Sequence, residues 1–354
     1  MPTPSPAWTS SAAAAGGRSV LVVDDENGVR DLMSRWLRLG GYAVSSASDA
    51  DQALDLVKDE PPAVALCDIR MPGHDGLWLA DRIRHDHPET AVIMATGVHD
   101  VGAAVESLRH GVVDYLTKPF DRDRLSDAVV RAYEWHCSAV DARRWREALE
   151  VDMHRRHARL KTTIAGLRID TDQTLDAMLS KLTADDRDAY AHAYRVAALS
   201  TSMARVLGLD QADIATIERG ALLHDLGKLA MPQALLRKPA PLTPDERTMI
   251  RLHPRLGSEL IDGVRYLSGA AQIVRDAHER VDGRGYPRGI GSDALPMGAR
   301  IVTVADAYDT MTRPRVFRDA VSPRAALSEL ERCCGTQFDA AAVGALRRVL
   351  GVER

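Results

Sequence analysis

Three short apolar runs, "SVLVV" at 19–23, "AVALC" at 63–67 and "AVIMA" at 91–95, with "DYLTK" at 114–118 as the last of the series, alternate with amphipathic stretches of about ten residues. Apolar runs of this length, rich in β-branched residues and lacking alternation, suit strands buried on both faces. That requires a parallel sheet with helices on either side, an α/β doubly wound arrangement. After "KPFDRDRL" the strand pattern stops. Leu125, Val129, Ala132, His136 and Ala139 keep near-heptad spacing, and the phase then drifts through Trp145, Leu149 and Met153, as expected of a connecting helix. That helix either pairs with a second copy or packs as a single amphipathic helix on one of its neighbours. Beyond Thr171 the sequence reads as helical throughout, with turns at "MPQ", "KPAPLTP" and "DGRGYPRGIG". A chain of 354 residues suits two domains. The expected divisions are a disordered leader (1–17), an α/β domain (18–132), a helical linker (133–185) and an all-α domain (186–354).

Composition excludes several classes. A net charge of -4 gives no overall basic surface for nucleic acid, and no helix-turn-helix with basic recognition residues follows Ala132, so direct DNA binding is not expected. The first residues lack a signal-peptide pattern, and no run reaches membrane-spanning length. Cys67, Cys137, Cys333 and Cys334 form no C-x-x-C pair and read as reduced thiols of a cytoplasmic protein.

The strand ends carry the first candidate site. Asp24 and Asp25 follow "SVLVV", Asp68 follows "AVALC", Thr96 follows "AVIMA" and Lys118 ends "DYLTK", and these ends share one crevice in an open α/β sheet. Three carboxylates in one place need a cation, and hard oxygen donors suit magnesium. The lysine and the hydroxyl add a fixed positive charge and a donor for phosphate oxygens. The helical half carries the second. His192, His224, Asp225, His253, His278 and Asp306 all fall in helical segments or at their ends. His224 and Asp225 are adjacent, so they reach one site only through a metal over that edge, with the carboxylate able to bridge two ions. Imidazole with carboxylate suits iron, manganese or zinc better than calcium. Lys228, one turn after His224, could meet a phosphate. Asp188, near a helix start, reads as a cap or a solvated charge. No Ser-His-Asp or Cys-His pattern stands out.

"VLVVDDE", "LCDIRMPGHDGL", "ATG" and "YLTKPF" resemble a response-regulator receiver domain over 19–132. The resemblance implies that Asp68 takes a phosphoryl group from a sensor histidine kinase. It also implies that Asp24 and Asp25 bind Mg2+, Lys118 contacts the phosphoryl group, Thr96 registers it and Tyr115 is the switch residue. "HAYRVA", "LLHDLGKLAMP", "LRKPAPLTPDE", "HPRLGSELI", "HERVDGRGYP", "ARIVTVADAYDTMT" and "GTQFD" resemble an HD-GYP domain over 186–350, a branch of the HD metal-dependent phosphohydrolases that includes cyclic di-GMP phosphodiesterases. This resemblance implies two divalent metals, iron or manganese. His192, His224, Asp225 and Asp306 would hold the first, Asp225 would bridge, and His253 and His278 would serve the second, for in-line attack on a phosphodiester. It makes Asp225 and Lys228 the catalytic pair, places Arg315 and Arg318 on the substrate phosphates, and lets Gly285, Tyr286 and Pro287 line the substrate site.

Active members of that family usually carry two histidines before the glutamate, and here the first is Ala277. Water filling the vacancy, Asp276 rearranging to reach it, and a weakened second ion are the three consequences open to the sequence. The leading expectation is a two-component response regulator hydrolysing cyclic di-GMP to pGpG and/or GMP under control of Asp68 phosphorylation, with cyclic GMP-AMP the runner-up substrate. The competing expectation is an impaired domain that binds a cyclic dinucleotide, or docks diguanylate cyclase proteins, without turnover. A homodimer through the connecting helix is a further expectation.

Overall fold

The computed structural model describes residues 18–97, 111–182, 187–314 and 319–352. The expected leader, 1–17, lies outside the described residues, as do Arg315 and Arg318. The chain divides into two compact units between Trp145 and Arg146.

In the first unit, β1 (Ser19–Val23), β2 (Ala43–Ala47), β3 (Val64–Asp68), β4 (Ala91–Gly97) and β5 (Asp114–Lys118) form one parallel sheet of order β2-β1-β3-β4-β5. Helices α1 (Asn27–Leu39), α2 (Ala50–Asp59) and α3 (Gly76–Asp86) cover it, with the start of α4 (Arg122–Ala165). The order reverses between β1 and β3, which opens a crevice beyond their carboxyl ends. Register then places the site: Val23 pairs with Cys67, so Asp24 and Asp68 leave neighbouring strands side by side, and Gly97 pairs with Lys118. Strand β3 is buried along its whole length and β4 up to Thr96, as their unbroken apolar runs require.

Helix α4 is continuous over 44 residues. Leu125, Ala128, Val129 and Ala132 are buried in the sheet's own core. Leu149 and Met153 are buried with Met231 and Leu256, and Ile164 with Leu175 and Leu223, in the helical unit. The near-heptad residues are thus largely satisfied within the chain, as in the single amphipathic helix that the sequence left open. The phase drift at Trp145 marks where the buried stripe passes from one core to the next.

The second unit contains α5 (Asp172–Leu182), α6 (Arg187–Val206), α7 (Gln211–Leu223), α8 (Gln233–Leu236), α9 (Pro244–Ile250), α10 (His253–Ile261), α11 (Ser268–Asp276), α12 (Met297–Thr312), α13 (Pro323–Arg332) and α14 (Ala340–Val349). Its largest cluster joins Val196 and Met203 of α6, Ile214 and Ile217 of α7, Ile273 of α11 and Ile301 to Ala305 of α12. Among the described residues, no helix is long and apolar enough to cross a membrane.

Replacing Ile164, 1% exposed, by alanine should destabilise the helical unit by about 2–5 kcal/mol, the usual cost of emptying a buried aliphatic site. Val151→Ala on the same helix, at a residue 58% exposed, should shift stability by less than about 0.5 kcal/mol. Urea unfolding of the full chain, followed by helical circular dichroism, compares the two.

Candidate functional site

The receiver-like crevice gathers its groups tightly. Lys118 Nζ lies 2.8 Å from both Asp24 Oδ2 and Asp68 Oδ1. Oxygens of Asp24, Asp25 and Asp68 lie within 4.8 Å of one another. Asp24 is fully buried, and its Oδ1 accepts the Glu26 amide at 2.9 Å. Burial pushes the Asp68 carboxyl above its ordinary range, with Lys118 opposing and Asp24 and Asp25 adding to the rise. A cation would relieve that crowding, which is the chemistry three converging carboxylates favour. Thr96 is buried at the end of β4, while Tyr115 is 46% exposed on β5, so the two differ sharply in access to solvent.

The helical unit brings together the six residues singled out by their chemistry. His192 comes from α6, His224 and Asp225 follow α7, His253 opens α10, His278 follows α11 and Asp306 lies on α12. Three of the four imidazoles are oriented from behind, while His278 Nε2 lies 3.0 Å from His253 Nε2. His192 Nδ1 meets Asp309 Oδ2 at 2.7 Å, His224 Nδ1 the Ala221 carbonyl at 2.7 Å and His253 Nδ1 the Ile250 carbonyl at 2.9 Å. Donation from Nδ1 leaves Nε2 as the free lone pair. These nitrogens converge on Asp225. Its Oδ2 lies 3.6 Å from His224 Nε2, and its Oδ1 lies 3.4 Å from His253 Nε2 and 3.9 Å from His278 Nε2. Asp306 Oδ1 stands 3.2 Å from His192 Nε2 and 3.9 Å from His224 Nε2. Two donor groups result, His192/His224/Asp225 and Asp225/His253/His278, each with its atoms within 4.8 Å.

Two atoms test whether this set fits metal. His224 Nε2 and Asp225 Oδ1 are buried without a hydrogen-bond partner. A buried polar atom left so costs about 1–3 kcal/mol, which coordination would recover. The donors fit divalent cations of the imidazole-carboxylate class. Charge agrees: burial would raise the Asp225 carboxyl, yet Lys228 and His224 outweigh it and hold the group well below the usual range. Burial lowers His192, but hydrogen bonds to Asp306 and Asp309 outweigh it and raise the group to about 9, so a cation bound at Nε2 would displace a proton there. Lys228 Nζ sits 2.6 Å from Asp225 Oδ2.

Residues behind the donors also organise the site, and of these Asp309 and Arg195 escaped the sequence reading. Asp309 is buried between His192 and Arg195, whose Nε and NH2 meet it at 2.6 and 2.8 Å. Its spacing from Asp306, three residues on one helix face, was the available signal. Gly227 allows the turn after Asp225 to lie against α10, since a Cβ there would overlap the His253 carbonyl. Glu279 is fully buried; its oxygens accept the amides of Arg288 (2.6 Å), Gly289 (3.1 Å) and Ile290 (3.2 Å). That anchors the loop carrying Gly285, Tyr286 and Pro287, and Tyr286 stacks on His278 with ring centroids 5.2 Å apart at 5°.

The vacancy at Ala277 looks different in three dimensions. Ala277 is 1% exposed and belongs to the apolar cluster of the unit. Asp276 does not turn toward the donors: it is fully buried, with both oxygens 2.8 Å from Arg288 NH2. Rearrangement of Asp276 would break this ion pair and strand either a buried carboxylate or its partly exposed Arg288, which disfavours that route. Asp188 is exposed in the first turn of α6.

Comparison with known proteins places both units in named classes. Residues 20–130 match the response regulator receiver domain, and residues 177–342 match the HD domain. The chain is similar to the cyclic di-GMP phosphodiesterase response regulator RpfG of Xanthomonas campestris, 32% identical over 97% of this chain and 93% of the relative. It is also similar to a cyclic di-GMP phosphodiesterase of Thermotoga maritima, 27% identical over 94% of this chain and 90% of that one. A third relative, a 3'3'-cGAMP-specific phosphodiesterase of Vibrio cholerae, is 33% identical over 46% of this chain and 35% of its own length. The chain belongs to the family of cyclic di-GMP phosphodiesterase response regulators. Its HD domain implies divalent-metal binding, and its receiver domain implies Mg2+ and a phosphodonor such as a histidine kinase.

Asp309→Asn should weaken metal retention about 10- to 100-fold, as loss of a carboxylate behind a ligating imidazole does. Metal content after dialysis against graded chelator checks this, with the melting temperature of the metal-free protein as the control for folding.

Proposed function

We propose that the helical unit hydrolyses cyclic di-GMP to pGpG and/or GMP and that phosphorylation of Asp68 sets the rate. The observation that carries this reading is the Asp225 carboxylate, whose two oxygens face different histidines while one of them is buried and unpaired. When bound there, a pair of divalent cations, iron or manganese by the softness of the donors, supplies Lewis acidity toward a phosphodiester and its attacking water.

The chain's own groups supply the rest. His192, His224, Asp225 and Asp306 form the first donor set and His253 and His278, with Asp225, the second. Lys228, partly exposed beside Asp225, offsets negative charge that develops on the phosphoryl oxygens. Tyr286 presents a ring at the rim, with its loop neighbours Gly285 and Pro287 shaping the edge. Arg315 and Arg318 are assigned to the substrate phosphates on the resemblance alone. With Asp276 held by Arg288, the residues that would hold the second cation are two imidazoles and the shared carboxylate, with Ala277 offering no donor. The full-length similarity to the Xanthomonas and Thermotoga phosphodiesterases supports cyclic di-GMP over cyclic GMP-AMP, for which the similar relative covers about half of this chain.

In the receiver unit Asp68 is the phosphoacceptor, Asp24 and Asp25 hold Mg2+, Lys118 pairs with the added phosphoryl charge, and Thr96 and Tyr115 respond to it. The domain divisions 18–132, 133–185 and 186–354, a cytoplasmic location, a homodimer and docking to diguanylate cyclase proteins belong to the same reading.

Two experiments test it. Protein loaded with Mn(II), or with Fe(II) under anaerobic conditions, should convert cyclic di-GMP to linear product, with Asp225→Asn at least about 1,000-fold slower, a loss of roughly 4 kcal/mol of barrier lowering. An inert wild type, with activity in Ala277→His, would instead leave a domain that binds without cutting. Acetyl phosphate should change wild-type turnover by about 5- to 150-fold, the span of ordinary coupling energies, and leave Asp68→Asn unchanged.

A further inference from the structure

Outside the metal centre, the helical unit holds a cavity of about 560 Å³. Its walls come from the turn that ends α4 (Ile169, Asp170), from α7 (Thr216, Arg219) and from the entry to α11 (Arg265, Tyr266, Ser268). The volume falls in the range of small-molecule sites. Its chemistry is unlike the acidic, histidine-lined centre. The Arg219 guanidinium carbon lies 4.0 Å from the Tyr266 ring centroid, with Arg219 Nε donating to Asp172, which also accepts the Tyr266 hydroxyl at 2.5 Å. This fixes a guanidinium-aromatic stack at the cavity wall. Arg265 is exposed and, among the described residues, has no ion-pair partner, so a second guanidinium is left for an anion. The Thr216 and Ser268 side chains add hydroxyls to the same wall.

We propose that this cavity is a regulatory site for a phosphorylated nucleotide of mononucleotide size. The planar base extends the Arg219-Tyr266 stack, and the phosphate meets Arg265. Stacking on aromatic and guanidinium planes accepts any base, whereas the guanidinium fork requires the phosphate.

The helices that line the cavity give it a route to the metals. Helices α7 and α11 pack unusually closely: a Cβ on Gly269 would stand 2.8 Å from Thr216 Cγ2, and one on Gly220 would stand 2.6 Å from Ile273 Cγ2. These contacts pair 216 with 269 and 220 with 273, so the two helices run parallel in one register. The same register carried one turn further brings 224 beside 277. Both helices therefore leave the cavity together and end at the metal centre, α7 delivering His224 and Asp225 and α11 delivering His278. A ligand that draws the start of α11 toward α7 shifts both donor sets at once. The proposal rests on the phosphodiesterase reading only for its rate measurement and not for its binding measurement.

Calorimetry on the full chain stripped of metal by chelator, which removes phosphate affinity at the catalytic centre, tests the binding. Titration with GMP should give one site per chain. Arg265→Ala should weaken it about tenfold, Ser268→Trp should abolish it by filling the cavity, and AMP should bind within a few-fold of GMP. No binding of GMP, binding equal in wild type and Ser268→Trp, or inorganic phosphate binding as tightly as GMP would each overturn the proposal. With metal restored, GMP should change wild-type turnover several-fold more than Ser268→Trp turnover; equal effects would mean product competition at the metals and would overturn the regulatory role. Calorimetry reads the cavity even if cyclic di-GMP proves not to be the substrate.

Discussion

The helical unit depends on one carboxylate. Asp225 sits where four helical segments deliver histidines, and its two oxygens divide them into two groups. Burial penalises its charge, but Lys228 and the surrounding imidazoles more than offset that penalty, while Oδ1 stays without a hydrogen bond. The surrounding packing maintains the arrangement. Gly227 permits the turn after Asp225 to lie on α10, and backbone carbonyls at Ala221 and Ile250 turn two rings inward. A site with unsatisfied atoms at its centre and satisfied ones around it is built for a ligand that completes it.

The receiver unit solves a similar problem with different donors. Asp24 and Asp68 converge on Lys118 with Asp25 beside them, and burial raises the Asp68 carboxyl. The cluster is crowded with negative charge until a cation and a phosphoryl group rearrange it, which makes it suited to a switch. Helix α4 leaves this unit and contributes buried residues to the other, so its residues belong to both cores in turn.

Much of this was legible in the sequence. The central strands announced themselves because burial on both faces demands unbroken apolar runs, and the metal donors because histidine and aspartate at such spacing have few other uses. Edge strand β2, "AVSSA", gave no comparable signal, since its serines face solvent. Asp309 and Arg195 were missed because each acts through a partner distant in sequence, Asp309 with His192 117 positions away and Arg195 with Asp309 114 positions away; nothing in the residues around Arg288 announces its pairing with Asp276. Asp276 was read as a candidate ligand because it neighbours Ala277. Only the fold shows that Arg288 already holds it, and that Ala277 lies in an apolar cluster.

The most direct test of the shared carboxylate is anomalous diffraction at the manganese edge from crystals grown with Mn(II). Two peaks are predicted, one on each side of Asp225, the first among His192, His224 and Asp306 and the second beside His253 and His278. A single peak, or two that leave Asp225 Oδ1 without a metal contact, would contradict the account.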